Sequence, residues 1–189
     1  MVRSFDGRAI DPDALMTLCA ESLRAPTAGN AAGVTMLVVG PERVADFFET
    51  ATDEQWRRDA ERAPGLLRAG AAVIVASEPS AYVERYRELD KLNAGLDDEA
   101  AWPVPYWHTD AAMATMALLL LIEETGWQAT IWGAFRREAE ILTFADAPRG
   151  SRMFASVLVG HGDGKDRRSS SLERRTPGRR DRVRRIGVE

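Results

Sequence analysis

Few residues in this chain have the types and spacing to do chemistry unaided. Cys19 is the single cysteine, and His108 and His161 are the two histidines. The three stand far apart in sequence, so a mononuclear metal site built on them would need added carboxylates. Neither histidine belongs to a triad-like motif and nothing resembles a nucleophile elbow, which leaves hydrolysis through a serine or cysteine nucleophile without support. Gly160-His161-Gly162-Asp163-Gly164 invites a phosphate-loop reading, because closely spaced glycines let backbone N–H groups approach a phosphate. The context fails, since Lys165 to Ser171 offers no apolar helix to supply a helix N-terminus. What remains is turn-forming glycines, small residues beside aromatics, and arginines without an obvious acid, base or nucleophile. Such a set suits a protein whose bound cofactor carries the reaction while the chain supplies position and charge.

The elements that must position these residues alternate between the two periodicities. Asp11-Pro12-Asp13 offers an N-cap, a proline at the first helical position and an acid in the first turn, and Leu15, Leu18, Cys19 and Leu23 recur at helical spacing. A helix to about Arg24 is predicted. The small, turn-rich segment Ala25 to Gly33 leads into a β-type run, Val34 to Val39. A second helical stretch opens at Pro41-Glu42 with Val44, Phe47, Phe48 and Ala51 on one face and Trp56 beyond. Ala71 to Ser77 reads as a buried strand, a short helix follows from Pro79 through Tyr86, and Lys91 to Pro105 reads as a polar loop. An apolar helix is expected from about Asp110 to Thr125, stopped by Gly126. A strand to Trp132, a helix from about Arg137 to Phe144 and a strand from Phe154 to Val159 complete the order. The central helix is apolar around most of its circumference, so it is either the middle of a monomer's core or a helix that also packs on a second copy.

Composition narrows the class. The 189 residues fit one domain. Residues 1–162 carry 15 Lys/Arg against 24 Asp/Glu, and residues 163–189 carry 10 against 5. We therefore read a domain over 1–164 and a basic tail over 165–189. The tail has no aromatic residue for base stacking and no folded reading element beside it. Nucleic acid is a poor fit, and a solvated tail, or a local hold on a phosphate-bearing ligand or a partner subunit, is a better one. MVRSFDGRAI has no basic then apolar pattern of a leader, and the apolar run Ala111 to Ile122 is too short for a membrane span. With one cysteine, a reducing cytoplasm is the expected setting.

Four segments, in order, resemble the FMN-dependent nitroreductase family. Arg3-Ser4-Phe5 resembles the end of the family's R-R-S-x-R-x-[F/Y] motif, this chain beginning after the motif's first two arginines. Ala25-Pro26-Thr27-Ala28-Gly29-Asn30 is similar to the A-P-S-x-x-N loop, although Ala32-Gly33-Val34 stands where Q-P-[W/F] is usual. Asp110 with the apolar helix, then Gly126 and the strand ending Ile131-Trp132-Gly133-Ala134-Phe135, resembles the dimer-core helix and the flavin-facing turn. Val157 to His161 followed by Arg174-Arg175-Thr176-Pro177 resembles the family's ending.

The resemblance implies a three-layer α+β fold, a mixed central sheet flanked by helices, with the long apolar helix at a homodimer interface. It implies bound FMN, NAD(P)H as co-substrate and a small acceptor such as a nitroaromatic or quinone. Arg3, Arg174 and Arg175 would serve the phosphate and ribityl end, Thr27, Ala28 and Asn30 the flavin edge, and Gly133 and Ala134 the ring near N5. Trp107 and Trp132 are candidate walls of the acceptor pocket. A member that holds or sequesters a flavin or deazaflavin without turnover is the alternative.

Overall fold

The structure is a computed structural model, and it describes residues 1–61, 63–166, 178, 182–183 and 186. Arg174 and Arg175 lie outside the described residues, as does most of the basic tail. Four strands, β1 (Val34–Val39), β2 (Ala71–Ser77), β3 (Gln128–Trp132) and β4 (Arg152–Gly160), form one sheet in the order β1-β2-β4-β3. All three pairings are antiparallel. The mixed sheet expected from the resemblance is thus not what the described residues form. The continuous apolar run of β2, usual in parallel sheets, arises here because helices cover both faces of an antiparallel one.

Strand alternation sorts the side chains onto two faces. Leu37, Val39, Ala72, Ile74, Leu158 and Trp132 point to one face, where α2 (Val44–Ala51) and α7 (Glu138–Phe144) supply Phe47, Phe48 and Ile141. Val34, Met36, Val38, Val73, Val75, Val157 and Val159 point to the other, under Leu15 and Cys19 of α1 (Pro12–Ser22) and Ala111, Leu118 and Ile122 of α6 (Tyr106–Glu124). The result is three layers. Between Val75 and Ala76 the β2–β4 register shifts, with Ala155 and Met153 opposite them, so Phe154 bulges out of the pairing.

Local signals explain the boundaries. Asp11 caps α1 by accepting from the Asp13 and Ala14 N–H groups at 3.0 and 3.4 Å, with Pro12 in the first turn. Helix α6 begins at Tyr106, just after Pro105, four residues before the start expected at Asp110. Two short helices, α3 (Glu54–Asp59) and α4 (Ala63–Leu66), precede β2, and α5 (Pro79–Tyr86) follows it. No helix among the described residues is long and apolar enough to cross a membrane.

The N-terminal segment is stitched onto the ends of β3 and β4. Val2 N–H donates to the Ala129 carbonyl, Asp6 N–H to that of His161, and Asp163 N–H to that of Ser4. Phe5, fully buried, bridges to Gly162, and a Cβ at Gly160 would lie 2.8 Å from its ring. Gly160 and Gly162 are therefore packing glycines that admit Phe5 and Gln128, whose Oε1 accepts from Gly162 N–H at 2.7 Å.

Candidate functional site

The predicted site residues fall into two groups in one chain. The first gathers around the C-terminal end of β3. Trp132 lies in a register row with Ser156, Ile74 and Leu37, and it meets Phe47, Phe48 and Trp56 at ring-centroid distances of 6.0, 5.8 and 5.5 Å. Two cavities flank this aromatic cluster. One, about 410 Å³, is lined by Arg3, Trp56, Leu66, Thr130, Ile131 and Trp132 among others. The other, about 330 Å³, is lined by Thr52, Trp56, Trp132, Gly133, Ala134 and Arg136 among others. Trp56, on α3, borders both.

Next to the first cavity, Arg3, Arg68 and Lys165 share a pocket of about 450 Å³ with Glu61, Asp163 and Asp166. Asp163 accepts from the Ser4 hydroxyl at 2.9 Å and pairs with Arg68, and the Arg3 backbone N–H donates to Asp166 at 3.2 Å. The Lys165 backbone N–H on its carboxylate, with the Ser4 hydroxyl and the Arg68 guanidinium, holds Asp163 below the usual carboxylate range despite some desolvation. Three cations thus face three acids here, one of the cations being the predicted Arg3.

The second group is the Thr27–Asn30 loop, a single 3₁₀ turn at Ala28–Asn30 running into edge strand β1. It stands far from the first. Trp132 is on the opposite edge strand, three strand spacings or roughly 14 Å from β1, and it points to the α2/α7 face. The loop instead leans on α6 and α5 through Ala28 and Tyr86, packed on Ala31, Tyr82, Trp102 and Trp107. The Ala28 N–H does not face outward. It donates at 2.7 Å to the buried Asp110 carboxylate, which also accepts from the Tyr82 hydroxyl at 3.0 Å. Burial, then the charge of Asp110, pushes the Tyr82 phenol pKa up. The Thr27 hydroxyl and the Asn30 amide make no hydrogen bond among the described residues.

Trp107 does not join Trp132. It is 3 % exposed, edge-on to Tyr82, Trp102 and His108, and it lines neither cavity at β3. The aromatic partner of Trp132 expected from Trp107 is instead Trp56, whose place on a short helix no sequence periodicity marks. His108 lies with Nδ1 3.4 Å from the Ser77 hydroxyl, and burial, reinforced by the Arg152 charge, lowers its pKa. No group of three or more His, Cys, Asp or Glu side chains that could hold a metal ion occurs among the described residues.

The three-layer fold thus sets an aromatic-lined cavity pair beside an arginine. Comparison with known proteins gives the class: the nitroreductase family model matches residues 1–161, and the chain belongs to that family. A nitroreductase family protein from Streptococcus pneumoniae superposes with a TM-score of 0.69 at 16 % identity, over 97 % of this chain and 94 % of its own. An enone reductase of gut-bacterial fatty acid saturation aligns at 20 % identity and TM-score 0.65, over 91 % and 90 % of the two chains. A crystal structure described as an NADH oxidase from Clostridium acetobutylicum does so at 15 % and 0.59, over 92 % and 93 %. No curated protein matches the chain. Membership makes the chain an oxidoreductase of the flavin-using kind in general terms.

The residues present fit a flavin. The cavities beside Trp132 offer flat aromatic and aliphatic walls for a ring system, the Gly133–Ala134 turn brings backbone close to them with little side-chain bulk, and Arg3 borders the same space. The phosphate end is the weaker part of the fit, because the acids beside Arg3 balance the cations there.

Proposed function

We propose that this chain is an FMN-dependent, NAD(P)H-using oxidoreductase that acts in the cytoplasm as a homodimer on a small acceptor such as a nitroaromatic or quinone. The observation that carries the reading is the pair of cavities around Trp132, bordered by Arg3 on one side and by the Gly133–Ala134 turn on the other. FMN, when bound, supplies the hydride chemistry between NAD(P)H and the acceptor. The chain's own residues hold and orient. Arg3 serves the phosphate and ribityl end, a role the resemblance also gives Arg174 and Arg175, while Gly133 and Ala134 present backbone to the ring and Trp132 walls the acceptor side. Holding donor and acceptor on one flat surface is itself a large part of catalysis, since orientation replaces a bimolecular encounter.

The dimer supplies what one chain lacks. Thr27, Ala28 and Asn30 lie across the sheet from Trp132, so the two groups meet only if a second copy brings its loop to the first copy's cavities. Met16 on α1 and Met113, Met116 and Leu120 on α6 are exposed at 56, 41, 52 and 60 %. Spaced at three and four residues along α6, the last three make an apolar stripe of the sort that seeks a partner. Its continuity with α1 supports α6 as the interface helix.

The test is a titration of purified protein with FMN, followed by flavin fluorescence, then oxidation of NADH and NADPH with a quinone or nitroarene present. Tight binding with acceptor-dependent oxidation of either nucleotide is expected. A protein that neither binds FMN nor oxidises either nucleotide sinks the reading. Binding without oxidation would move the chain to the holding role, with a deazaflavin as the next ligand to try.

A further inference from the structure

The residue that shapes the Thr27–Asn30 loop is not in the loop. We propose that Asp110 is its positioning residue: the buried carboxylate fixes the loop in the one conformation that turns Thr27 and Asn30 outward and Ala28 N–H inward. The ligand-facing part rests on the flavin reading above, while the loop-holding part stands on geometry alone.

Asp110 is the fifth residue of α6 and is 1 % exposed. A carboxylate so placed is tolerated only when donors replace its water. No ion pair involves it among the described residues; its donors are neutral. Oδ2 takes both the Ala28 N–H at 2.7 Å and the Tyr82 hydroxyl at 3.0 Å, and Thr109 Oγ1 lies 3.4 Å from Oδ1. One oxygen thereby ties the loop (Ala28), α5 (Tyr82) and α6 together. The N–H bond has the short length of a charge-assisted one.

The loop needs such a hold. Gly29 and Asn30 both adopt left-handed backbone, φ 64° and 59°, a conformation that asparagine tolerates better than other residues with a Cβ and that surrounding contacts hold in one state. The turn closes through Asn30 N–H to the Thr27 carbonyl and Ala31 N–H to that of Ala28, each at 3.1 Å. Arg85 Nε donates to the Gly29 carbonyl at 2.8 Å from the other side. Aromatic rings fill the remaining space, so that a Cβ would come within 2.7 Å of Tyr86 at Gly29 and within 2.4 Å of Tyr82 at Gly33. Because the Ala28 N–H is committed inward, the side-chain groups the loop turns toward a ligand are the Thr27 hydroxyl and the Asn30 amide. Asp110 acts through the loop and touches no ligand.

The experiment compares Asp110→Asn and Tyr82→Phe with the wild-type protein by amide hydrogen exchange, with FMN titrations alongside. Asp110→Asn keeps the shape but removes the charge, and Ala28 N–H should exchange at least about tenfold faster, with Asn30 and Ala31 following. Tyr82→Phe leaves the Ala28 bond in place, so loop protection should change much less. FMN affinity should fall by about the same factor in Asp110→Asn, and Asp110→Glu should restore part of it. Unchanged exchange at Ala28 in Asp110→Asn overturns the proposal. Exchange that rises equally throughout α6 and the sheet also overturns it, since Asp110 would then support the fold at large. If the exchange pattern is as expected but the wild-type protein binds no FMN, the flavin assignment fails and the loop-holding role stands.

Discussion

In the proposed site the Thr27–Asn30 loop and the turn after Trp132 would supply the two halves, and they are constructed in opposite ways. The loop is over-determined. A buried carboxylate, an arginine and two tyrosine rings hold a left-handed turn whose Thr27 and Asn30 side chains make no hydrogen bond among the described residues. The turn is open: backbone and aromatic surface beside two cavities, one bordered by Arg136 and Arg137 and the other by Arg3 next to its balancing acids. A rigid half can dictate geometry to a ligand, whereas an open half can adapt to different acceptors. The division suits a site in which one side fixes the cofactor and the other admits a variety of small molecules.

The largest expected effect separates the halves. Met116→Glu with Leu120→Glu puts charge on the exposed α6 stripe without touching either half of the site in its own chain. Sedimentation should show monomer in place of dimer, and FMN binding and NAD(P)H oxidation should be lost together, because each copy would keep its cavities and lose the loop that faces them. A monomer with full FMN affinity would show that one chain completes the site alone, and would break the comparison.

Stability should distinguish the halves next. Gly33→Ala forces a Cβ to within 2.4 Å of the buried Tyr82 ring, and overpacking of that kind costs about 1–3 kcal/mol. Trp56→Ala removes a half-buried ring between two cavities, where solvent can enter and less is lost. Urea unfolding should rank Gly33→Ala as the more destabilising change, while Trp56→Ala should alter relative rates among acceptors of different size. Equal midpoints would mean that the loop is no more tightly held than the turn.

Much of this was legible in the sequence, though unevenly. Asp11-Pro12 marked the start of α1, and the apolar runs at Val34 to Val39 and Ala71 to Ser77 marked strands at the observed bounds, because caps and runs are local. The sequence predicts a start of α6 at Asp110, since a charge beside an apolar run looks like a solvated boundary; only the fold shows it buried inside the first turns. The short α3 and α4 carry too few turns for a periodic face, so Trp56 had no visible place. Trp107 and Trp132 looked equivalent because both are tryptophans beside turns, yet one closes a buried cluster and the other borders open space. That difference is set by α5 packing over Trp107 through Tyr82, a contact of long sequence separation, with Trp102 from the segment just before it closing the cluster. The pairing of Asp163 with Ser4 and Arg68 was invisible for the same reason.

That pairing gives the smallest effect and the finest test of the open half. Asp163→Asn removes the carboxylate that engages the Ser4 hydroxyl and the Arg68 guanidinium, leaving both available to an anion beside Arg3. FMN should then bind more tightly by up to about fivefold, the upper end for a charge pair whose arginine remains half exposed. Riboflavin, which has no phosphate, should bind as before; equal tightening of both would place the effect elsewhere than at the phosphate. The pH dependence follows in sign from the lowered pKa of Asp163. A carboxylate held below its unfolded value contributes stability that is fully present above about 3.9 and is lost as pH falls through the lower folded value. Wild type should therefore be slightly more stable than Asp163→Asn at neutral pH, and the gap should close in acid. A gap that widens on acidification would mean that Asp163 is strained rather than satisfied by its neighbours, and the charge balance around Arg3 would need a different account.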